Sequence, residues 1–189
     1  MKRILIIIGS IIIVIIMILS IIRVNSTKND YDLPVNLNIT STAFENDGDI
    51  PIKYTGKGED ISPSLKLDKI ATDAKTIAII MDDLDHPLGT YNHWVIWNIP
   101  ASFDNIPEGI PKEEVVNSLG NAIQGKTAYG GKHWYRGPLP PFGMHKYIFK
   151  VYVLDTTLNL DNDAGKSELL KAIKEHILQY GILTGKFSG

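Results

Sequence analysis

Two acids, two histidines and a phenol stand where apolar stretches give way to turns: Asp83, Asp85, His93, His145 and Tyr147. Brought together, they form a small polar cup with both donors and acceptors, its imidazoles able to titrate near neutral pH. Such a cup suits a small anion or zwitterion, a phosphate monoester head group among them. Carboxylates two residues apart repel and call for nearby donors or cations. The same residue types also bind zinc or iron, but no His-x-x-x-His spacing accompanies them, so no metal or other cofactor is expected. Hydrolysis by an Asp–His pair activating water is a further possibility. Against it, the chain has no Gly-x-Ser-x-Gly elbow and no Cys, and Ser62 reads as a turn residue. Spacing alone leaves convergence open, because acids at strand ends also serve as solvated turn residues.

The segments that must position these groups come next. From His145 the chain alternates, with His145, Tyr147, Phe149, Val151 and Val153 on one face and Lys146, Ile148, Lys150, Tyr152 and Leu154 on the other. The preceding Gly137–Gly143 stretch holds Pro138, Pro140 and Pro141, which forbid a helix or a central strand there. Thr76 to Met81 is an apolar run of strand length, and it would place Asp83 and Asp85 on the face of Ile77, Ile79 and Met81. His93 to Ile99 reads as the next strand, with His93 on the face of Val95 and Trp97. Val35 to Ala43 and Ile50 to Tyr54 read as earlier strands, and Leu65 begins another extended piece. Ser102 to Tyr135 shows no sustained period and reads as irregular. Lys166 to Tyr180 has helical spacing, with Gly165 as N-cap, Glu168 as the N3 acid and Gly181 as its end. The result is a β-rich domain with one amphipathic helix near its end.

Ahead of that domain, Ile4 to Ile22 carries no charge. At about 1.5 Å per residue, such a run reaches across a hydrocarbon core of about 30 Å. Residues 1–23 are therefore expected to be a membrane anchor (or, less expected, a cleaved signal), 24–36 a linker, and 37–189 the domain, outside the cytoplasm. Beyond residue 23 there are 16 basic and 21 acidic residues, a net of −5. Nothing in that balance seeks nucleic acid. The chain has no Cys, so the core must suffice without disulfides.

Four segments resemble the phosphatidylethanolamine-binding protein (Raf kinase inhibitor-like) family, its bacterial and archaeal branch in particular. They are Asp60-Ile61-Ser62-Pro63-Ser64-Leu65, Asp83-Leu84-Asp85-His86-Pro87, His93-Trp94-Val95-Ile96-Trp97-Asn98-Ile99-Pro100, and Gly137-Pro138-Leu139-Pro140-Pro141 through Gly143, His145 and Tyr147. The resemblance implies a mainly β fold, a two-sheet sandwich with a carboxyl-terminal helix, and at least one cis X-Pro bond beside the pocket. It implies a ligand pocket of Asp83, Asp85, His93, Gly137, Pro138, His145 and Tyr147, taking a small phosphorylated or carboxylated ligand without catalysis. An envelope protein-partner role, such as a protease inhibitor acting through the Ser102–Tyr135 loop, is the alternative. Leu84, His86, Leu139 and the His133–Arg136 stretch depart from the family pattern: Leu84 is expected to leave the Asp loop less rigid, and His86, Trp134 or Arg136 to reshape the cup.

Overall fold

The computed structural model describes residues 30–189. The apolar run 4–22 and the rest of residues 1–29 lie outside the described residues, and with them the expected anchor and the first part of the linker. Among the described residues, no helix is long and apolar enough to cross a membrane.

Among the described residues, ten strands make two sheets, accompanied by one short helix. Strands β1 (Asn38–Thr40), β3 (Leu65–Asp68) and β6 (Asn105–Ile106) form the small sheet, in the order β1-β3-β6. The large sheet runs β2-β10-β9-β4-β5-β8-β7. Its members are β2 (Gly48–Asp49), β4 (Thr76–Asp83), β5 (Tyr91–Pro100), β7 (Val115–Val116), β8 (Ala122–Gln124), β9 (Met144–Leu154) and β10 (Ile177–Ser188). Helix α1 (Lys166–Ile173) packs on it. The domain is mainly β, as expected.

The large sheet is covered on both faces, so its central strands are apolar throughout. All eight residues of β4 are buried. Ile77, Ile79, Met81, Trp94, Ile96, Phe149 and Val151 form one core with Leu37, Ile39, Leu65 and Leu67 of the small-sheet side. Ala78, Ile80, Val95, Trp97, Tyr152 and Leu154 form a second core with Leu169 and Ile173 of α1.

Charges are buried on the helix side too. Asp82 is fully buried and lies 3.0 Å from Lys150 Nζ and 2.7 Å from Lys166 Nζ, and both lysines also reach Asp30. Burial opposes the charge of Asp82, but Lys166 and Lys150 outweigh it and hold the carboxyl below its ordinary range. The described part of the 24–36 segment is thereby packed onto the domain: the Tyr31 hydroxyl donates to the Leu170 carbonyl, and Asn36 Oδ1 accepts from the Tyr180 amide at 2.9 Å.

Several sequence expectations change. The helix stops at Ile173, and Ile177 and Tyr180 belong to β10, which pairs with β9 along its length. Gly181 ends no helix: it sits inside β10, where a Cβ would come within 2.5 Å of the Leu37 carbonyl. The N-terminal cap is as expected, the Gly165 amide donating to Glu168 Oε2 at 3.1 Å. Ile50–Tyr54 is not a strand; pairing falls earlier at Gly48–Asp49, and Pro51, with its fixed φ, leads into a 3-10 turn at Ile52–Tyr54. Leu37 and Ile39 are buried, whereas Val35 is exposed. The stretch read as irregular, Ser102–Tyr135, contains β6, β7 and β8, each too short to show a period.

Candidate functional site

The strand β9 leaves its Pro-rich loop with His145 and Tyr147 directed to the small-sheet side, as alternation requires. β4 lies antiparallel beside it with Asp83 opposite Tyr147. This register brings His145 Nδ1 within 2.7 Å of Asp83 Oδ2, with both side chains almost wholly buried. A carboxylate only accepts, so Nδ1 donates. The Tyr147 hydroxyl is buried beside the same carboxylate. Burial first, then the charge of Asp83 and the hydrogen bond the phenol directs at it, push its pKa well up, so it remains a phenol.

His93 arrives by a different route. In the β4–β5 ladder Met81 pairs with Trp94 but Asp82 pairs with Asn92, leaving His93 as an extra residue. This bulge turns its side chain away from Val95 and Trp97, the face alternation had assigned it, and toward Tyr147. The His93 and Tyr147 rings meet edge-on at 5.4 Å. His93 Nδ1 lies 2.9 Å from the Arg136 carbonyl, and the Arg136 amide donates to the His93 carbonyl at 3.2 Å. Burial lowers the His93 pKa below its ordinary value, outweighing the Arg136 hydrogen bond and the Asp83 charge.

The loop on the far side is held by Asp60. Its carboxylate accepts from the Gly137 amide at 2.7 Å, from Lys112 at 2.9 Å and from the Arg136 guanidinium. Gly137 is required there, since a Cβ would come within 2.4 Å of the Tyr54 carbonyl and 2.6 Å of Thr55 Cα. The expected cis X-Pro bond is absent: among the described residues every peptide bond is trans. The rim takes its course instead from this glycine contact and from the Gly56 amide donating to the Pro138 carbonyl at 2.9 Å.

These elements enclose a cavity of about 180 Å³. Of the seven residues expected at a pocket, Asp83, His93, Gly137, His145 and Tyr147 line it, and Asp85 and Pro138 do not. Asp85 faces the turn, where its carboxylate accepts from the Lys146 amide at 2.9 Å. Pro138 contributes its carbonyl to the loop contact. Of the residues flagged as departures, His86, Arg136 and Leu139 line the wall. His86 stacks on Tyr91 at 4.7 Å, and Arg136 lies over Tyr129 at 4.5 Å. Tyr91 is a further wall residue, and its place two residues before His93 is the sequence signal for it. Tyr129 and Asp60 had none, because their roles depend on loops meeting across the fold. Ser62 is fully buried and accepts from the Ile110 amide at 3.0 Å, a turn residue as expected.

A profile of phosphatidylethanolamine-binding proteins matches residues 40–188. The chain belongs to the phosphatidylethanolamine-binding protein family. Within it, the chain is 50% identical over 149 residues to a UPF0098 protein of Pyrococcus abyssi, covering 78% of this chain and 83% of that one. A UPF0098 protein of Aquifex aeolicus is 33% identical over 156 residues, or 80% of this chain and 88% of the other. Among solved structures, a phosphatidylethanolamine-binding protein homolog from Chlamydia trachomatis superposes with a TM-score of 0.73 at 30% identity, covering 81% of this chain and 97% of its own. E. coli YbcL, described as a new member of the mammalian family, superposes at 0.75 with 22% identity over 82% and 99% of the two chains, which speaks to the fold.

Proposed function

We propose that this family member is a ligand-binding protein whose cavity takes a small anion or phosphorylated head group without transforming it. The observation that carries this reading is the convergence of Asp83, His93, His145 and Tyr147 on one cavity, with the Tyr147 phenol beside the Asp83–His145 pair. Asp83, Asp85, His93, Gly137, Pro138, His145 and Tyr147 remain the proposed ligand-binding set, with Asp85 and Pro138 shaping the walls from behind.

The uncharged run 4–22 supports membrane attachment with the domain on the extracytoplasmic side. Fractionation with protease protection of intact cells tests that part: a soluble or protected domain refutes it.

Isothermal titration of the full-length chain in mild detergent with inorganic phosphate and phosphoethanolamine, beside His145→Ala, tests the pocket. Saturable binding that the variant loses is the expected result. No heat from either ligand overturns the reading.

A further inference from the structure

On the opposite face of the large sheet, beside α1, a group of buried charges stands apart from the cavity. Lys150 of β9 and Lys166, the first residue of α1, both contact the fully buried Asp82, at 3.0 and 2.7 Å. Two ammonium groups against one carboxylate leave an excess positive charge in a low-dielectric interior, which is costly unless an anion balances it. Asp30 is that anion. Its Oδ2 accepts from Lys150 Nζ, and its Oδ1 lies 2.9 Å from Lys166 Nζ. One oxygen on each lysine is the arrangement of a bridging carboxylate, and the completed group is neutral, two charges against two.

Three further observations mark this as a place for a ligand. Exposure is graded: the Asp82 and Lys150 side chains are 0% and 3% exposed, Asp30 13% and Lys166 21%, so Asp30 closes the solvent side. A donor is also to spare. The Tyr180 hydroxyl is buried with no hydrogen-bond partner among the described residues, within range of the charges of Asp30, Asp82 and Lys166. Finally, the balancing carboxylate lies ahead of the family match, which begins at residue 40. Residues 40–188 by themselves hold both lysines and only one of their two carboxylates.

We propose that Lys150, Lys166 and the Tyr180 hydroxyl form a carboxylate site that Asp30 fills in cis, and that a free small carboxylate fills when Asp30 is withdrawn. The ligand class follows from the geometry: a planar monoanion with one oxygen for each ammonium. Asp82 at the back of the site repels a more highly charged anion. Occupancy by Asp30 also sets the tether. Seven residues, 23–29, separate Asp30 from the apolar run 4–22, a reach of at most about 25 Å. With residues 30–35 withdrawn, the free stretch runs to Asn36, 13 residues and about 45 Å. That consequence, unlike the site, rests on the membrane-attachment reading.

Thermal unfolding of the full-length chain in mild detergent tests the site, with sodium formate as the probe and sodium chloride at the same ionic strength as the control. Asp30→Ala removes the carboxylate and leaves the room that formate needs. Its Tm is expected to fall by about 5–10 °C in chloride and to regain at least about a third of that loss in formate. The native chain, and Asp30→Asn, whose amide keeps the space filled, are expected to show no such gain. Asp30→Ala melting with the native chain, or gaining no more from formate than the other two, overturns the proposal and leaves the cavity reading untouched. Should Asp30→Ala fail to fold, adding Lys150→Met restores one charge of each sign. The double variant is then expected to fold and to ignore formate, and its failure to fold overturns the proposal.

Discussion

Asp82 and Asp83 are consecutive carboxylates on one strand that serve opposite layers of the domain. Asp82 faces the helix side among Lys150, Lys166 and Asp30, and Asp83 faces the cavity and His145. Isosteric substitutions at the two positions are expected to separate stability from binding. Asp82→Asn removes one member of a buried ionic group and is expected to cost about 3–5 kcal/mol in urea unfolding, with phosphate affinity of the folded protein unchanged. Asp83→Asn exchanges a charge-assisted bond for a neutral one, at about 1–2 kcal/mol of stability, and weakens phosphate about tenfold.

Acid should reveal Asp82 as well. Its folded pKa is lowered from the ordinary value, so its contribution is present above the unfolded pKa of about 3.9 and is lost as pH falls through the folded value. Thermal melts from neutral pH downward are expected to fall steeply below about pH 4 in the native chain, and less steeply in Asp82→Asn.

His93 has the same sign in a higher pH window. With its folded pKa lowered, the unfolded chain takes up the proton first, so stability is complete above the unfolded value of about 6.5 and declines as pH falls below it. Long-range nitrogen–proton NMR should show the Nδ1–H tautomer at neutral pH and titration below that of an ordinary imidazole. An Nε2–H tautomer would contradict the Arg136 contact.

Tyr147→Phe removes a buried hydroxyl that stands beside the Asp83 carboxylate without ideal hydrogen-bond geometry. Urea unfolding is expected to show unchanged stability, or a gain of up to about 1 kcal/mol, while phosphate binding weakens roughly fivefold to tenfold. A large loss of stability would mean that the hydroxyl is already satisfied.

Gly137→Ala places a methyl within 2.4 Å of the Tyr54 carbonyl and against the Thr55 backbone. Neither is a flexible side chain that could yield. The expected cost is about 1–3 kcal/mol or more in unfolding free energy, with displacement of the rim and weaker phosphate binding in the same titration.

The placing of His145 and Tyr147 could be read from the chain because strand alternation has a period of two and nothing interrupts β9. Asp83 followed from the same rule in β4. Their meeting could not be read, since it requires the β4–β9 register that sets Asp83 opposite Tyr147. His93 was given the right company for the wrong reason: alternation aimed it at Val95 and Trp97, and one extra residue in β5 redirected it. Asp60 gathers Lys112, Arg136 and Gly137 from distant parts of the chain, a convergence with no local trace. Helical spacing overstates the length of α1 because Ile177 and Tyr180 continue its apolar pattern, and only their pairing with β9 shows them to be strand.

The bulge at His93 makes this position sensitive to the number of residues as much as to their kind. Deleting Asn92 alone would keep every cavity side chain in the sequence, yet would restore regular pairing and swing the imidazole through the sheet into the layer of Trp97. Relatives that retain the histidine but lack the extra residue should then be grouped apart in ligand preference. For this fold, an alignment gap at that position would carry more functional information than a substitution.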